Sequence, residues 1–125
     1  MINFQHSGNF NNITRFLERM SKQDAMSILN KYGKRGVELL RTATPIDTGK
    51  TADSWGYEAV RENGRYKIYW SNSNIQNGVP IAIILQYGHA TRNGGYVEGI
   101  DYINPALEEV FTSMAEELWK EVVST

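Results

Sequence analysis

The chain reads as an α+β domain: an antiparallel sheet built around a central β-hairpin, packed by N-terminal helices and a C-terminal helix. Three observations predict this. Asn63-Gly64 lies between two stretches of alternating aromatic and polar residues, a strong short-range hairpin signal. Apolar residues recur at helical spacing from Ala25 to Ala43, and again from Leu107 to Val122. Helices followed by a hairpin and a further helix must bury their apolar stripes against the sheet.

Taken in order, residues 1–10 show no pattern and are expected to form a mobile N-terminal segment of a single domain over 1–125. Asn11 to Met20 predicts a short helix with Ile13, Phe16, Leu17 and Met20 on one face. Ser21 followed by Asp24 resembles a capping box and opens a long helix. Its stripe is Ala25, Ile28, Leu29, Tyr32, Gly36, Leu39, Leu40 and Ala43, and it stops at Thr44-Pro45 because the residue before proline leaves the helical region. Gly33 and Gly36 each cost this helix about 1 kcal/mol relative to alanine, which points to close packing of another backbone or to a kink.

A type I′ turn at Asn63-Gly64 pairs Glu62 with Arg65, Arg61 with Tyr66, Ala59 with Ile68 and Tyr57 with Trp70. That register gathers Trp55, Tyr57, Ala59, Tyr66, Ile68 and Trp70 on one face, and a slip of one residue would reverse it. On the other face Glu62 and Arg65 are expected to attract each other across the turn. Ser71 to Gly78 reads as a polar loop and Ile81 to Tyr87 as a buried strand or short buried helix. Gly88 to Gly99, with four glycines, reads as a mobile loop, and Ile100 to Ile103 as a short edge strand. Asn104 as N-cap and Pro105 at the first helical position open the last helix, with Glu108 and Glu109 in its first turn. Its stripe is Leu107, Val110, Phe111, Met114, Leu118 and Val122.

With 125 residues the chain suits one domain that needs no disulfide or metal staple. It has no cysteine, which excludes disulfides, thiol chemistry and cysteine-ligated metals. Its longest apolar run, Val79 to Leu85, is far short of a membrane span, and Met1 to His6 lack the pattern of a secretion signal. A net charge of −1 argues against a dedicated duplex-DNA binder. That sum hides an asymmetry. Residues 1–43 carry seven basic and three acidic side chains (+4), residues 44–104 five and six (−1), and residues 105–125 one and five (−4). A basic front and an acidic tail suggest complementary surfaces, within one chain or between copies.

Catalytic constellations are thin. His6 and His89 show no metal-ligand spacing, and Gly94-Gly95 precedes no helix that could cradle a phosphate. His89 with Asp101 and Ser71 or Ser73 can be written as a triad, but no nucleophile-elbow motif accompanies it. Asp47 and Asp53 could pair as acid and base, although Asp47 between Pro45 and Gly49 is an ordinary turn former. We expect no catalytic site, cofactor or metal. The aromatic hairpin face could stack bases, but Arg61 is the sole basic residue on it, so it reads as core.

One segment adds a functional expectation. Thr44-Pro45-Ile46-Asp47-Thr48-Gly49-Lys50, with Ser54 five residues after Gly49, follows a long helix and precedes a strand. Tyr87-Gly88-His89 and Tyr102-Ile103-Asn104-Pro105-Ala106-Leu107 follow in order. Together these motifs resemble a family of small tailed-bacteriophage tail-component and head–tail joining (neck, tail-completion) proteins, over about residues 20–120. The chain departs from the pattern at Gln86, where the family usually carries Glu, and at His89, where it usually carries Thr. The resemblance implies a non-enzymatic virion protein at the head–tail junction or tail, assembled in the bacterial host cytoplasm as a homo-oligomeric ring. It implies contact with other neck or tail proteins, such as connector, stopper and tail-tube proteins, and no specific nucleic acid or membrane. In such a ring Arg15, Arg19, Lys31, Lys34 or Arg35 is expected to face Glu108, Glu109, Glu116 or Glu117 of a neighbour, with His89 a further contact. The alternative is a small nucleic-acid- or peptide-binding module; a hydrolase using His89 comes third.

Overall fold

A computed structural model describes the chain except for Met1, residues 5–8, residues 46–48, Arg92 and residues 124–125; at residues 2–4, 9–12, 14 and 121–123 it describes the backbone only. In chain order the elements are β1 (Ile2–Phe4), α1 (Asn9–Glu18), α2 (Lys22–Ala43), a 3-10 turn (Ala52–Ser54), β2 (Trp55–Glu62) and β3 (Arg65–Asn72). Then come β4 (Ile75–Gln76), β5 (Val79–Pro80), α3 (Ile81–Tyr87), β6 (Gly88–Ala90), β7 (Tyr96–Glu98) and α4 (Ile103–Val123). The main sheet is antiparallel in the order β1-β3-β2, and β4-β5 and β6-β7 are separate two-stranded ribbons. This is the expected α+β architecture.

The central hairpin has the predicted register, including Glu62↔Arg65, Ala59↔Ile68 and Tyr57↔Trp70. Asn63 and Gly64 both take positive φ, 52° and 75°, as a type I′ turn demands. Trp55, Tyr66, Ile68 and Trp70 are buried, with Tyr57 and Ala59 half-buried, so the aromatic face is core. It lies under the helices: Trp70 meets Phe111 of α4 edge-on at 5.8 Å and 82°. The Glu62 carboxylate is engaged along the sheet face as well as standing opposite Arg65. It accepts from Lys67 Nζ at 3.3 Å and from the Tyr69 hydroxyl at 3.1 Å, two neighbours that share its face of the sheet.

Ser21 caps α2 as predicted, its hydroxyl accepting from the Asp24 amide at 3.1 Å. Leu29, Tyr32, Gly33, Gly36 and Leu40 face inward. Ala43 faces solvent, and Thr44 takes the inward position instead. The helical glycines mark close packing, but of aromatic side chains rather than backbone. A Cβ on Gly36 would lie 2.4 Å from the Trp70 indole nitrogen, and one on Gly33 would lie 2.2 Å from the Tyr57 ring. The same indole nitrogen donates to the Gly33 carbonyl at 2.9 Å, so sheet and helix share a polar contact inside the core.

Elsewhere the structure corrects the sequence reading. Ile2, Asn3 and Phe4, within the expected N-terminal segment, pair with Asn72, Ser71 and Trp70 as the third strand of the main sheet, while Met1 and residues 5–8 lie outside the described residues. The first helix begins at Asn9, two residues before the expected Asn11. Ser71 to Gly78 is not a loop throughout: Ser71 and Asn72 finish β3, and β4 turns into β5 at Asn77 and Gly78, both at positive φ. Gly88 to Gly99 is a ribbon, with Gly88↔Glu98, His89↔Val97 and Ala90↔Tyr96 paired across the turn. Ile81 to Tyr87 is helical, and Ile103, expected at an edge strand, begins α4. Asn104 and Pro105 therefore fall inside the first turn of that helix, and Glu108 and Glu109 fall in its second. The predicted stripe of α4 is buried from Leu107 to Leu118; the Val122 side chain lies outside the described residues.

Candidate functional site

The motif residues gather at two corners where helices hand over to strands. At the first, Thr44 ends α2 and is 2% exposed. Its hydroxyl donates to the Leu40 carbonyl one turn back and accepts from the Trp55 indole at 2.9 Å, which ties the helix end to the first residue of β2. Pro45 is half-buried behind it. Asp47 and Thr48 lie outside the described residues. Gly49 has φ +82°, the left-handed conformation that favours glycine, and its carbonyl accepts from the Asp53 amide at 3.0 Å. Ser54 donates to the Lys50 carbonyl at 2.6 Å and Arg41 clamps Asp53 at 3.0 Å. Among the described residues, local hydrogen bonds tie this corner together. Beside it lies a buried polar network that the sequence reading missed. The Asn72 side chain donates to the Thr51 carbonyl, the Asn74 side chain donates to the Thr51 hydroxyl, and the Asn74 amide donates to the Asn72 carboxamide oxygen.

The second corner joins α3 to α4 through Gln86, which is 6% exposed. Its carboxamide oxygen accepts from the amides of Tyr102 and Ile103, at 3.0 and 2.9 Å, capping the start of α4 from another helix. Its nitrogen donates to Asp101 at 2.6 Å, and Asp101 also accepts from the Asn104 side chain at 3.1 Å. The Tyr102 hydroxyl donates to the Ala82 carbonyl, and burial pushes its pKa up. Ala106 and Leu107 are buried below this joint, while Asn104 and Pro105 are exposed on it. Gly88 leaves α3 at φ +82°; a Cβ there would meet the Val97 carbonyl oxygen at 2.4 Å. Tyr87 is 62% exposed at this point, and its carbonyl accepts from the Tyr96 hydroxyl at 2.8 Å.

The opposite charges predicted to meet between copies partly meet within one chain, because α2 and α4 lie side by side. Lys31 pairs with Glu117 at 2.9 Å, and Arg35 reaches Glu38 at 3.4 Å and Glu109 at 4.0 Å. Arg15, Arg19, Lys34, His89, Glu108 and Glu116 are exposed. An open groove of about 290 Å³ runs past Lys31, Tyr32, Lys34 and Arg35. At its side the Tyr32 hydroxyl donates to Glu117. Burial, then the hydrogen bond to this carboxylate, raises the Tyr32 pKa. Partial burial pushes Glu117 up, but the bonds from Tyr32 and Lys31 and the Lys31 charge outweigh it and hold the carboxyl below its ordinary value. A depressed carboxylate stabilises the folded state above the ordinary glutamate range, and that contribution is lost as pH falls through the folded value. Glu117→Gln is therefore expected to cost about 1 kcal/mol near neutrality, and the difference is expected to shrink as pH falls below the ordinary glutamate range. Denaturant midpoints of both proteins across that range check this, and a difference independent of pH would refute it.

Among the described residues no hydrogen bond joins His89 to Asp101, Ser71 or Ser73, and the pairing of Asp53 with Asp47 lies outside them. Asp101 is engaged by Gln86 and Asn104, Asp53 by Arg41, and His89 stands exposed on the ribbon. Among the described residues no group of three His, Cys, Asp or Glu is placed to hold a metal ion. No helix among them is long and apolar enough to cross a membrane. The hairpin aromatics that could have stacked bases are covered by α2 and α4. No family model, curated protein or solved structure matches the chain.

Proposed function

We propose that this chain is a structural virion protein of a tailed phage or prophage, acting as a homo-oligomeric ring at the head–tail junction or tail end. The reading rests on one observation: three short motifs occur in the order of the tail-completion and head–tail joining family. They are Thr44-Pro45-Ile46-Asp47-Thr48-Gly49, Tyr87-Gly88 and Asn104-Pro105-Ala106-Leu107. Their described residues have structural employment. Thr44 and Gly49 shape the turn from α2 towards β2, Gly88 turns α3 into β6, and Ala106 and Leu107 seat α4. A protein whose job is to hold shape between larger assemblies needs such corners and no reactive cluster.

Deleting the gene and imaging the resulting particles tests the reading. Tailless heads beside free tails are the expected result for a joining role, and overlong tails for termination at the tail end. Normal particles lacking the protein would remove the proposal.

A further inference from the structure

The dipeptide Asn-Gly occurs three times, at Asn63-Gly64, Asn77-Gly78 and Asn93-Gly94, and all six residues are exposed. Asparagine followed by glycine carries its own reaction. The glycine amide nitrogen attacks the asparagine side-chain carbonyl carbon, and the new nitrogen–carbon bond closes a five-membered succinimide. The amide hydrogen is lost to solvent base. The bond from that carbon to the side-chain nitrogen breaks, and the nitrogen takes a proton from solvent and leaves as ammonia. Water then opens either ring carbonyl to give aspartate or isoaspartate. The sum is asparagine plus water to acid plus ammonia, and glycine favours it because no side chain shields its nitrogen.

The three sites share this intrinsic chemistry and differ in setting. Asn63 and Asn77 stand at φ 52° and 53°, with Gly64 and Gly78 at 75° and 76°, so both pairs form type I′ turns. The succinimide needs an asparagine ψ different from the one this turn imposes, so the turn must open before it reacts. Asn63 joins β2 to β3, strands of eight residues whose aromatic face is core. Asn77 joins β4 to β5, strands of two residues, and residues 75–79 are all exposed. Only Ile75↔Pro80 and Gln76↔Val79 pair across it, and Pro80 has no amide to donate. A ribbon that short is marginal in water and opens far more readily than a core hairpin.

The nucleophile itself separates the third site. Among the described residues the Gly78 amide has no hydrogen-bond acceptor, whereas the Gly94 amide donates to the Thr91 carbonyl at 3.3 Å. The Gly95 amide also binds the Thr91 hydroxyl at 3.0 Å, which fixes the chain around Gly94. We propose that Asn77 is a self-modification site. In the folded protein it converts to aspartate and isoaspartate through the Gly78 nitrogen, ahead of Asn93 and far ahead of Asn63. Aspartate there adds a negative charge to a stretch, residues 71–80, that carries none. Isoaspartate inserts one more main-chain carbon into a two-residue turn and breaks the Gln76↔Val79 register. This chemistry depends on neither the ring nor the virion role.

The test holds the folded protein in mildly alkaline buffer and digests samples with trypsin over time. Cleavage places the three sites on separate peptides, 62–65, 68–92 and 93–120. Fragment masses locate each amide-to-acid change, and labelling by protein isoaspartyl methyltransferase reports isoaspartate. The Asn77 rate is expected to exceed that of Asn63 by about tenfold or more, because opening costs run from near zero in exposed segments to the global value in core strands. In concentrated urea the three rates are expected to converge, with Asn63 rising most. Equal rates at Asn63 and Asn77 in the folded protein, or Asn93 leading, would overturn the proposal. So would an Asn77 rate that rises in urea by as large a factor as that of Asn63.

Discussion

Replacing Gly36 with alanine is expected to destabilise the protein by about 3 kcal/mol, although the same change favours a bare helix by about 1 kcal/mol. The new methyl would lie 2.4 Å from the indole nitrogen and 2.5 Å from the adjoining ring carbon of Trp70. Trp70 cannot swing away. It is 1% exposed, it packs edge-on against Phe111, and its nitrogen is bound to the Gly33 carbonyl. The clash must therefore push α2 off the sheet, loosening burial over the whole interface. Gly33→Ala is expected to cost less, because the Tyr57 ring it meets is only half-buried on β2 and can rotate. Trp70→Phe should partly relieve Gly36→Ala, so that the double variant is more stable than the sum of the single changes predicts. Urea midpoints of the four proteins decide it. A Gly36→Ala protein as stable as the parent would show that the indole is not the obstacle.

Gly36 also shows where the sequence was readable and where it was not. A glycine at a position of the apolar stripe signals close approach, but not which element approaches. The hairpin was legible in full because two independent signals agreed, the Asn63-Gly64 turn and eight residues of alternation on each side. The same dipeptide recurs at Asn77-Gly78 and Asn93-Gly94, and each lies at the turn of a further ribbon. From sequence such ribbons read as loops, because strands of two or three residues are too short to show alternation. Charge was legible as a sum over segments, +4 and −4, but pairing depends on α2 lying beside α4, which segment sums do not contain. The buried amides of Asn72 and Asn74 were illegible for a different reason. Polar composition reads as solvated loop, and only the fold shows their hydrogen bonds closed around Thr51. Thr44 stands out in the sequence only as a motif residue, because its bond to the Trp55 indole spans eleven positions and belongs to no local pattern.

Gln86→Leu is expected to cost about 3 kcal/mol, because it leaves the Tyr102 and Ile103 amides without their acceptor in a buried joint and removes the donor to Asp101. Gln86→Glu is the more informative change, since it keeps the acceptor oxygen and replaces only the donor. The introduced carboxylate still accepts from both amides, and negative charge is favourable at the start of α4. Its second oxygen, however, replaces a nitrogen that lies 2.6 Å from the Asp101 carboxylate. Two carboxylates at that distance cannot both ionise, so the pair holds a proton to higher pH than either group alone. A carboxyl whose folded pKa is raised stabilises at low pH and loses that contribution as pH rises through the folded value. The variant should therefore match the parent near about pH 4 and lose about 2 kcal/mol at neutrality. Adding Asp101→Asn should restore most of the loss, because an amide nitrogen can donate to the new carboxylate where an oxygen could not. Equal midpoints for the parent and Gln86→Glu at neutral pH, or no recovery in the double variant, would show that Asp101 does not oppose a charge at position 86. Recovery would identify the Gln86–Asp101 pair as one unit, in which the negative charge at the head of α4 is carried by residue 101 and not by residue 86.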